Sequence, residues 1–292
     1  MKQSSPAAAT GVFRIGGDLP VHRLGYGTMG LTGPGHWHHP ADTDHAKAVL
    51  RRAVDLGINH LDTADAYGPE TTEHLIRKAL HPYPDHLVIA TKGGLTRQGP
   101  NQWAPVGHPK YLRQCVEMSL RRLAVDRIDL YYLHRIDPTV PFADQFGELA
   151  DLAQEGKIHH LGLSKVDVTQ IRAARQTAPV AAVQNLLNID HPDDTNVLGY
   201  CEEHDIAFVP YRPLNAGALA ASAGIALRWL LDLSPVVLPI PGTTSLHHLD
   251  DNVWHVTRPP APAGTFGHRH PSSLLPLTVV APLRAAIVTT QR

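Results

Sequence analysis

Cysteine is scarce in this chain, with two residues in 292, and each such scarcity narrows what the protein can be. Cys115 and Cys201 lie far apart and without metal-ligand spacing. Neither a disulfide framework nor a thiolate metal centre follows from them, and a reduced, cytoplasmic compartment is the simple reading. An excess of one charge is missing too: 26 Lys and Arg stand against 27 Asp and Glu. The basic surplus that nucleic acid or an anionic membrane surface would attract is therefore absent. No apolar run is long enough to span a bilayer, since "LLPLTVVAPLRAAIV" is broken by prolines and Arg284. The opening "MKQSSPAAATG" is small and polar and reads over residues 1–10 as a frayed end rather than a leader. The glycine-rich dinucleotide fingerprint is also absent after the first strand, which argues against a doubly wound open sheet.

What is present alternates. Short β-type runs ("RLGYGT", "INHLD", "LVIAT", "IDLYYL", "HLGL", "VAAV", "IAFVP", "PVVLPI") are separated by helical stretches. "HAKAVLRRAVDLG" carries Ala46, Val49, Leu50 and Ala53 at helical spacing before Gly57, and "KYLRQCVEMSLRRL" repeats the pattern. Eight strands alternating with helices over roughly 250 residues are the signature of an α/β chain folded as a (β/α)8 TIM barrel. "GVFRIGGDLPVHRLG" reads as an N-terminal β-hairpin that closes the bottom. The expected organisation is a barrel over residues 11–253 followed by an atypical, irregular, Pro-rich tail over 254–292. From Val253 to Arg292 the sequence contains no Asp, Glu or Lys.

The strand ends carry the polar residues. Asp62 ends the second strand with Tyr67 just beyond, Lys92 ends the third, and His134 ends the fourth. In a barrel these ends meet on one rim. A buried carboxylate is costly without a cation, so Asp62 is expected to pair with Lys92. A tyrosine beside that cation is expected to have its pKa drawn down toward the working range. With His134 holding a carbonyl oxygen, Tyr67 would then protonate an oxygen that gains charge as hydride reaches its carbon. Each residue alone has a structural explanation; together, on consecutive strand ends, they point to catalysis.

At these residues the chain resembles the aldo-keto reductases. The resemblance rests on "GYGTMG", "HLDTADAYGPE", "VIATKGG", "YYLHRID", "EGKIHHLGLS", "VQNLLN", "FVPYRPL" and "PIPGTTSLHHLDDN", in the family's order. It implies a catalytic tetrad of Asp62, Tyr67, Lys92 and His134, reducing a small-molecule aldehyde or ketone with NADPH, NADH being the alternative nucleotide. It also implies a cofactor site in which Ser164 and Gln184 meet the carboxamide and Tyr211 stacks on the nicotinamide. Thr28, Met29, Lys165, Arg212, Pro213, Leu214, Gly242, Thr243, Thr244, His248, Asp251 and Asn252 would complete that site. The family resemblance favours a monomer. A nucleotide-binding sensor or regulatory subunit with little catalysis is the competing function.

Besides the atypical tail after Asn252, the sequence departs from the family's pattern in three places. Lys165 stands where relatives usually carry Asn. The lysine and arginine that grip a 2′-phosphate are replaced by Gly242 and His248. The loop after strand seven is shortened to "ALAASAG". "GHWHH" at residues 35–39 lacks carboxylate or thiol support, so no metal is assigned to it. Instead Trp37 and Trp103 are expected to form two aromatic walls of a substrate pocket.

Overall fold

The computed structural model describes residues 5–257. It opens with a hairpin, β1 (Val12–Ile15) paired antiparallel with β2 (Leu19–His22), turned by Gly16 and Gly17 at φ 63° and 90°. A seven-stranded parallel sheet follows in the order β11-β10-β9-β8-β5-β4-β3. Its strands are β3 (Tyr26–Gly27), β4 (His60–Asp62), β5 (Val88–Gly93), β8 (Ile128–Leu133), β9 (Ile158–Ser164), β10 (Ala182–Gln184) and β11 (Ala207–Phe208). A second hairpin, β6 (Leu95–Gly99) with β7 (Gln102–Pro105), leaves the end of β5. The eight strands and the N-terminal hairpin expected from the sequence do not include this pair.

Residues 235–241, expected as the eighth strand, complete the circle without forming a regular ladder. On one side Phe208 donates to Val236 and Leu238 to Phe208, both at 2.8 Å; on the other Gly25 donates to Pro239 at 2.9 Å and Gly27 to Pro241 at 3.3 Å. Pro239 and Pro241 have no N–H to return, so this seam is bonded in one direction only. Arg23 supplements it, its guanidinium donating to the carbonyls of Leu231 and Ser234 at 2.6 Å.

The helices α1 (Thr43–Asp55), α2 (Thr71–Leu80), α3 (Pro109–Leu123), α4 (Phe142–Gln154), α5 (Val168–Ala174), α6 (Thr195–Glu203), α7 (Ala223–Leu233) and α8 (Leu246–Thr257) wrap the sheet. Their apolar stripes are those the spacing predicts: Ala46, Val49, Leu50 and Ala53 of α1 are all buried. Asp42 caps α1 by accepting from the His45 amide, satisfying one of its orphan donors. Inside the barrel, Val88, Ala90, Leu130, Ala182, Ala207 and Leu238 pack with Ile15 and Val21 of the N-terminal hairpin. The hairpin thus plugs the end from which the strands begin. The strands' other ends stay free to build a site.

Two boundaries differ from the sequence reading. Residues 6–10 form a 3-10 turn with Ala7 and Thr10 buried, and the Ala7 amide donates to Leu56 at 2.9 Å. A stretch that reads as a frayed end is here a seal at the C-terminal end of α1. At the other end, α8 runs past residue 253 to Thr257, with Val256 1% exposed. Residues 254–257, expected in the tail, are thus the last turn of α8, and the rest of the expected tail, residues 258–292, lies outside the described residues.

Candidate active site

The ends of β4, β5 and β8 bring the expected tetrad together. Lys92 Nζ donates to Asp62 Oδ1 at 2.6 Å, to the Thr63 carbonyl at 2.8 Å and to the Tyr67 hydroxyl at 3.3 Å. Gln184 Nε2 donates to the other Asp62 oxygen at 2.7 Å. The His134 ring stands edge-on to Tyr67, centroids 5.9 Å apart. The parallel register explains the convergence, because Asp62 lies beside Ala90 and Lys92 beside Tyr132 on adjacent strands.

Burial governs the protonation states. It opposes charge on Lys92, but Asp62 and Tyr67 together hold the ammonium above its ordinary range. Burial also raises the Tyr67 pKa; Lys92 pulls it down without prevailing. The expected depression of the tyrosine is therefore corrected. With water excluded, desolvation of the phenolate outweighs the cation, and Tyr67 rests as a protonated acid. Burial, followed by Lys92 and Arg135, keeps His134 far below the usual imidazole range, so it is neutral. Its Nδ1 is buried and has no partner among the described residues.

These groups face a cavity of about 610 Å³. Asp62, Tyr67 and His134 line it with Met29, Ser164, Lys165, Gln184, Tyr211, Arg212, Pro213, Leu214 and Gly242, while Ala216 and Gly217, just ahead of the shortened loop, complete one wall. Lys92 itself is fully buried beneath. Several expected residues lie elsewhere. Thr28 is buried behind the wall, its hydroxyl donating to the Asp62 carbonyl at 3.0 Å. Of the stretch 242–252 only Gly242 lines the cavity. The Ser245 hydroxyl caps α8 by accepting from the His248 amide, the Thr243 hydroxyl accepts from the Ser245 amide, and the Thr244 carbonyl accepts from His45 Nε2. His247 pairs with Asp251, Asn252 is buried, and His248 is exposed.

Trp103 lines the cavity, its ring edge-on to both Tyr67 and His134 at 6.4 Å. Trp37 does not line it, and His36 takes the place expected for it. The backbone passes through positive φ at His36 and His38 and bridges Trp37 to Gly68, which sets the indole against His38 and Arg97. Arg97 was not singled out in sequence. Its guanidinium lies 3.6 Å over the Trp103 ring and donates to the carbonyls of His36 and Gly35. Only the folded β6–β7 hairpin reveals this role. Arg135, also missed, was legible in principle, because it directly follows His134 on a strand end.

Asp65, three residues after Asp62, is not part of the tetrad. Its Oδ1 has no partner among the described residues, and burial, then Glu73, pushes its pKa up to about 8. An unfolded aspartate ionises near about 4. Between those values the native state keeps a proton that the unfolded state releases, so stability falls as pH rises from about 4 to 8. Asp65→Asn should remove that slope in denaturant titrations run across this range. An unchanged slope would show Asp65 ionised in the fold.

A model of the aldo/keto reductase family matches residues 23–224. The chain is 50% identical over 262 residues to an uncharacterized oxidoreductase of Schizosaccharomyces pombe, covering 85% of each. It is 40% identical to pyridoxine 4-dehydrogenase of Escherichia coli, covering 81% of this chain and 90% of that one. A Klebsiella pneumoniae aldo/keto reductase solved with NADP and acetate superposes with a TM-score of 0.68 at 26% identity, covering 84% of this chain and 89% of its own. Closed parallel barrel, tetrad geometry and these likenesses agree: the chain belongs to the aldo/keto reductase family and is an oxidoreductase of TIM-barrel fold.

Proposed function

We propose that the cavity takes an extended NADPH beside a small aldehyde or ketone and that the chain reduces the carbonyl to an alcohol, Tyr67 supplying the proton. The observation that carries this reading is the Tyr67 hydroxyl, 3.3 Å from Lys92 Nζ on the floor of an open cavity. The remaining lining fits a dinucleotide. Arg135, Lys165 and Arg212 all face the cavity, and among the described residues none pairs with a carboxylate. An anionic diphosphate suits such a wall. Gly27 and Gly242 keep the backbone bare there, since a Cβ on Gly242 would come within 2.7 Å of the Gly27 carbonyl. Ser164 and Gln184 offer polar groups at the strand ends, and the half-buried Tyr211 ring offers a flat face. The Klebsiella relative's NADP is in keeping with this.

When bound, the reduced nicotinamide supplies hydride to carbon. The protein's own residues manage the oxygen. Neutral His134 orients the carbonyl, and Tyr67 gives up its proton as charge develops. The Lys92 ammonium, anchored by Asp62, then stabilises the phenolate that results.

The direct test titrates the purified chain with NADPH and then NADH by nicotinamide fluorescence. It then follows NADPH consumption with pyridoxal, benzaldehyde and small aliphatic aldehydes. Binding with turnover supports the proposal. Binding without turnover favours a nucleotide sensor, and no binding of either nucleotide rejects the site. Within that assay Trp103→Ala should raise KM for aromatic aldehydes more than for aliphatic ones, while Trp37→Ala changes neither. The reverse pattern would put Trp37, not Trp103, against substrate.

A further inference from the structure

The histidines that stand out in sequence, at 35–39, are not the ones the fold gathers. At the opposite end of the barrel from the tetrad, Asp18 of the N-terminal hairpin turn meets His159 and His160 near the start of β9. His160 Nε2 lies 2.6 Å from Asp18 Oδ1, and His159 Nε2 lies 3.0 Å from Asp18 Oδ2. The two imidazole rings are 4.2 Å apart. All three donor atoms lie within 4.8 Å of one another, the one such grouping among the described residues.

We propose that Asp18, His159 and His160 form a binding site for a divalent transition-metal ion of the zinc class. Two imidazole nitrogens and a carboxylate oxygen are the donors such ions take, whereas calcium and magnesium prefer all-oxygen sets. The histidines are 23% and 17% exposed at the side chain and Asp18 is 57% exposed. The histidines are therefore held by packing while the carboxylate faces solvent, which leaves room for water to complete the coordination.

The backbone is arranged to bring them together. Gly16 sits directly against the His160 ring, where a Cβ would come within 2.2 Å of the imidazole, and Gly16 and Gly17 both adopt left-handed φ. That turn swings Asp18 over the strand. Asp129, on neighbouring β8, lies within electrostatic reach of both imidazoles, its own Oδ2 accepting from the Ile89 amide at 2.9 Å. Asp18 and the histidines are separated by 141 and 142 residues. An ion here would fasten the hairpin plug to the barrel wall, closing a long loop of chain. From His160 to Ser164 the strand runs on for four residues, roughly 13 Å, so the site is separate from the cavity.

The test uses the full chain, free of any affinity tag and stripped with chelator, titrated with Zn²⁺ alone by calorimetry. One tight equivalent is expected. Loss of an outer-sphere partner commonly weakens a metal site by about 10–100-fold, so Asp18→Asn and His159→Gln should each weaken this one by at least tenfold. His38→Gln, in the histidine-rich loop, should leave the affinity unchanged. Zinc should also raise the midpoint of thermal unfolding in a concentration-dependent manner, in the parent and not in Asp18→Asn. Carbonyl turnover of zinc-free Asp18→Asn should match the parent, showing that the fold is intact. Absence of a tight equivalent, or affinity unmoved in both Asp18→Asn and His159→Gln, would overturn the proposal and leave the trio as a hydrogen-bonded clasp.

Discussion

Tyr67→Phe should lower turnover of every carbonyl substrate by about 10²–10⁴-fold, the range that a positioned general acid contributes. Affinity for NADPH should change little, because the substitution removes one hydroxyl and keeps the ring against Trp103 and His134. Steady-state rates and a fluorescence titration on the same preparation separate the two quantities. The effect should appear in kcat as well as in kcat/KM, since the proton moves only in the transition state. The structure sharpens this expectation. Burial keeps Tyr67 protonated, and the 3.3 Å contact to Lys92 stabilises the phenolate only once the proton has left. If Tyr67→Phe retained activity within tenfold of the parent, the proton would have to come from elsewhere.

Arg122→Leu should be the most destabilising single change outside the cavity. Arg122, 7% exposed on α3, donates through Nε to Glu73, which is fully buried on α2, and through Nη1 to Glu70 at 3.0 Å. Thr91 Oγ1 on β5 donates to the other Glu73 oxygen at 2.6 Å. Two helices and a strand are thus joined through one carboxylate. Removing the guanidinium strands a buried charge, at a cost of about 3–5 kcal/mol, which corresponds to a fall in the unfolding midpoint on the order of 10 °C. Adding Glu73→Gln to Arg122→Leu should recover part of that loss by removing the stranded charge. No recovery would mean that lost packing of the arginine stem dominates. The pair itself need not be strongly stabilising; its disruption is what costs.

The barrel and its tetrad were legible because both depend on local order in the chain. Helical spacing located α1 and α3, and each strand end announced its polar residue, so Asp62, Lys92 and His134 were placed by counting strands. What escaped depends on segments that meet only after folding. Arg97 reaches His36 because β6 and β7 fold back as a hairpin, and no periodicity in "GGLTRQGPNQWAPV" states that. The direction of the Tyr67 shift was missed for a similar reason. Charge proximity is visible in a motif, whereas the depth of burial that outweighs it is a property of the whole packed rim. Trp37 and Trp103 looked equivalent as loop tryptophans; backbone turns at His36 and His38 separate them. The same holds for Asp18, whose nearest polar neighbours lie in the second half of the sequence.

The one-directional seam has a kinetic consequence. Across it, among the described residues, the backbone donors are Gly25 and Gly27, because Pro239 and Pro241 have none to give. Amide hydrogen–deuterium exchange at those two glycines therefore times the opening of the cylinder at that join, with no answering protons from the facing run to blur the reading. Gly27 and Gly242 stand on either side of it and also line the cavity. Slower exchange at Gly27 when nucleotide is added would register occupancy of the groove as a tightening of the cylinder's own join.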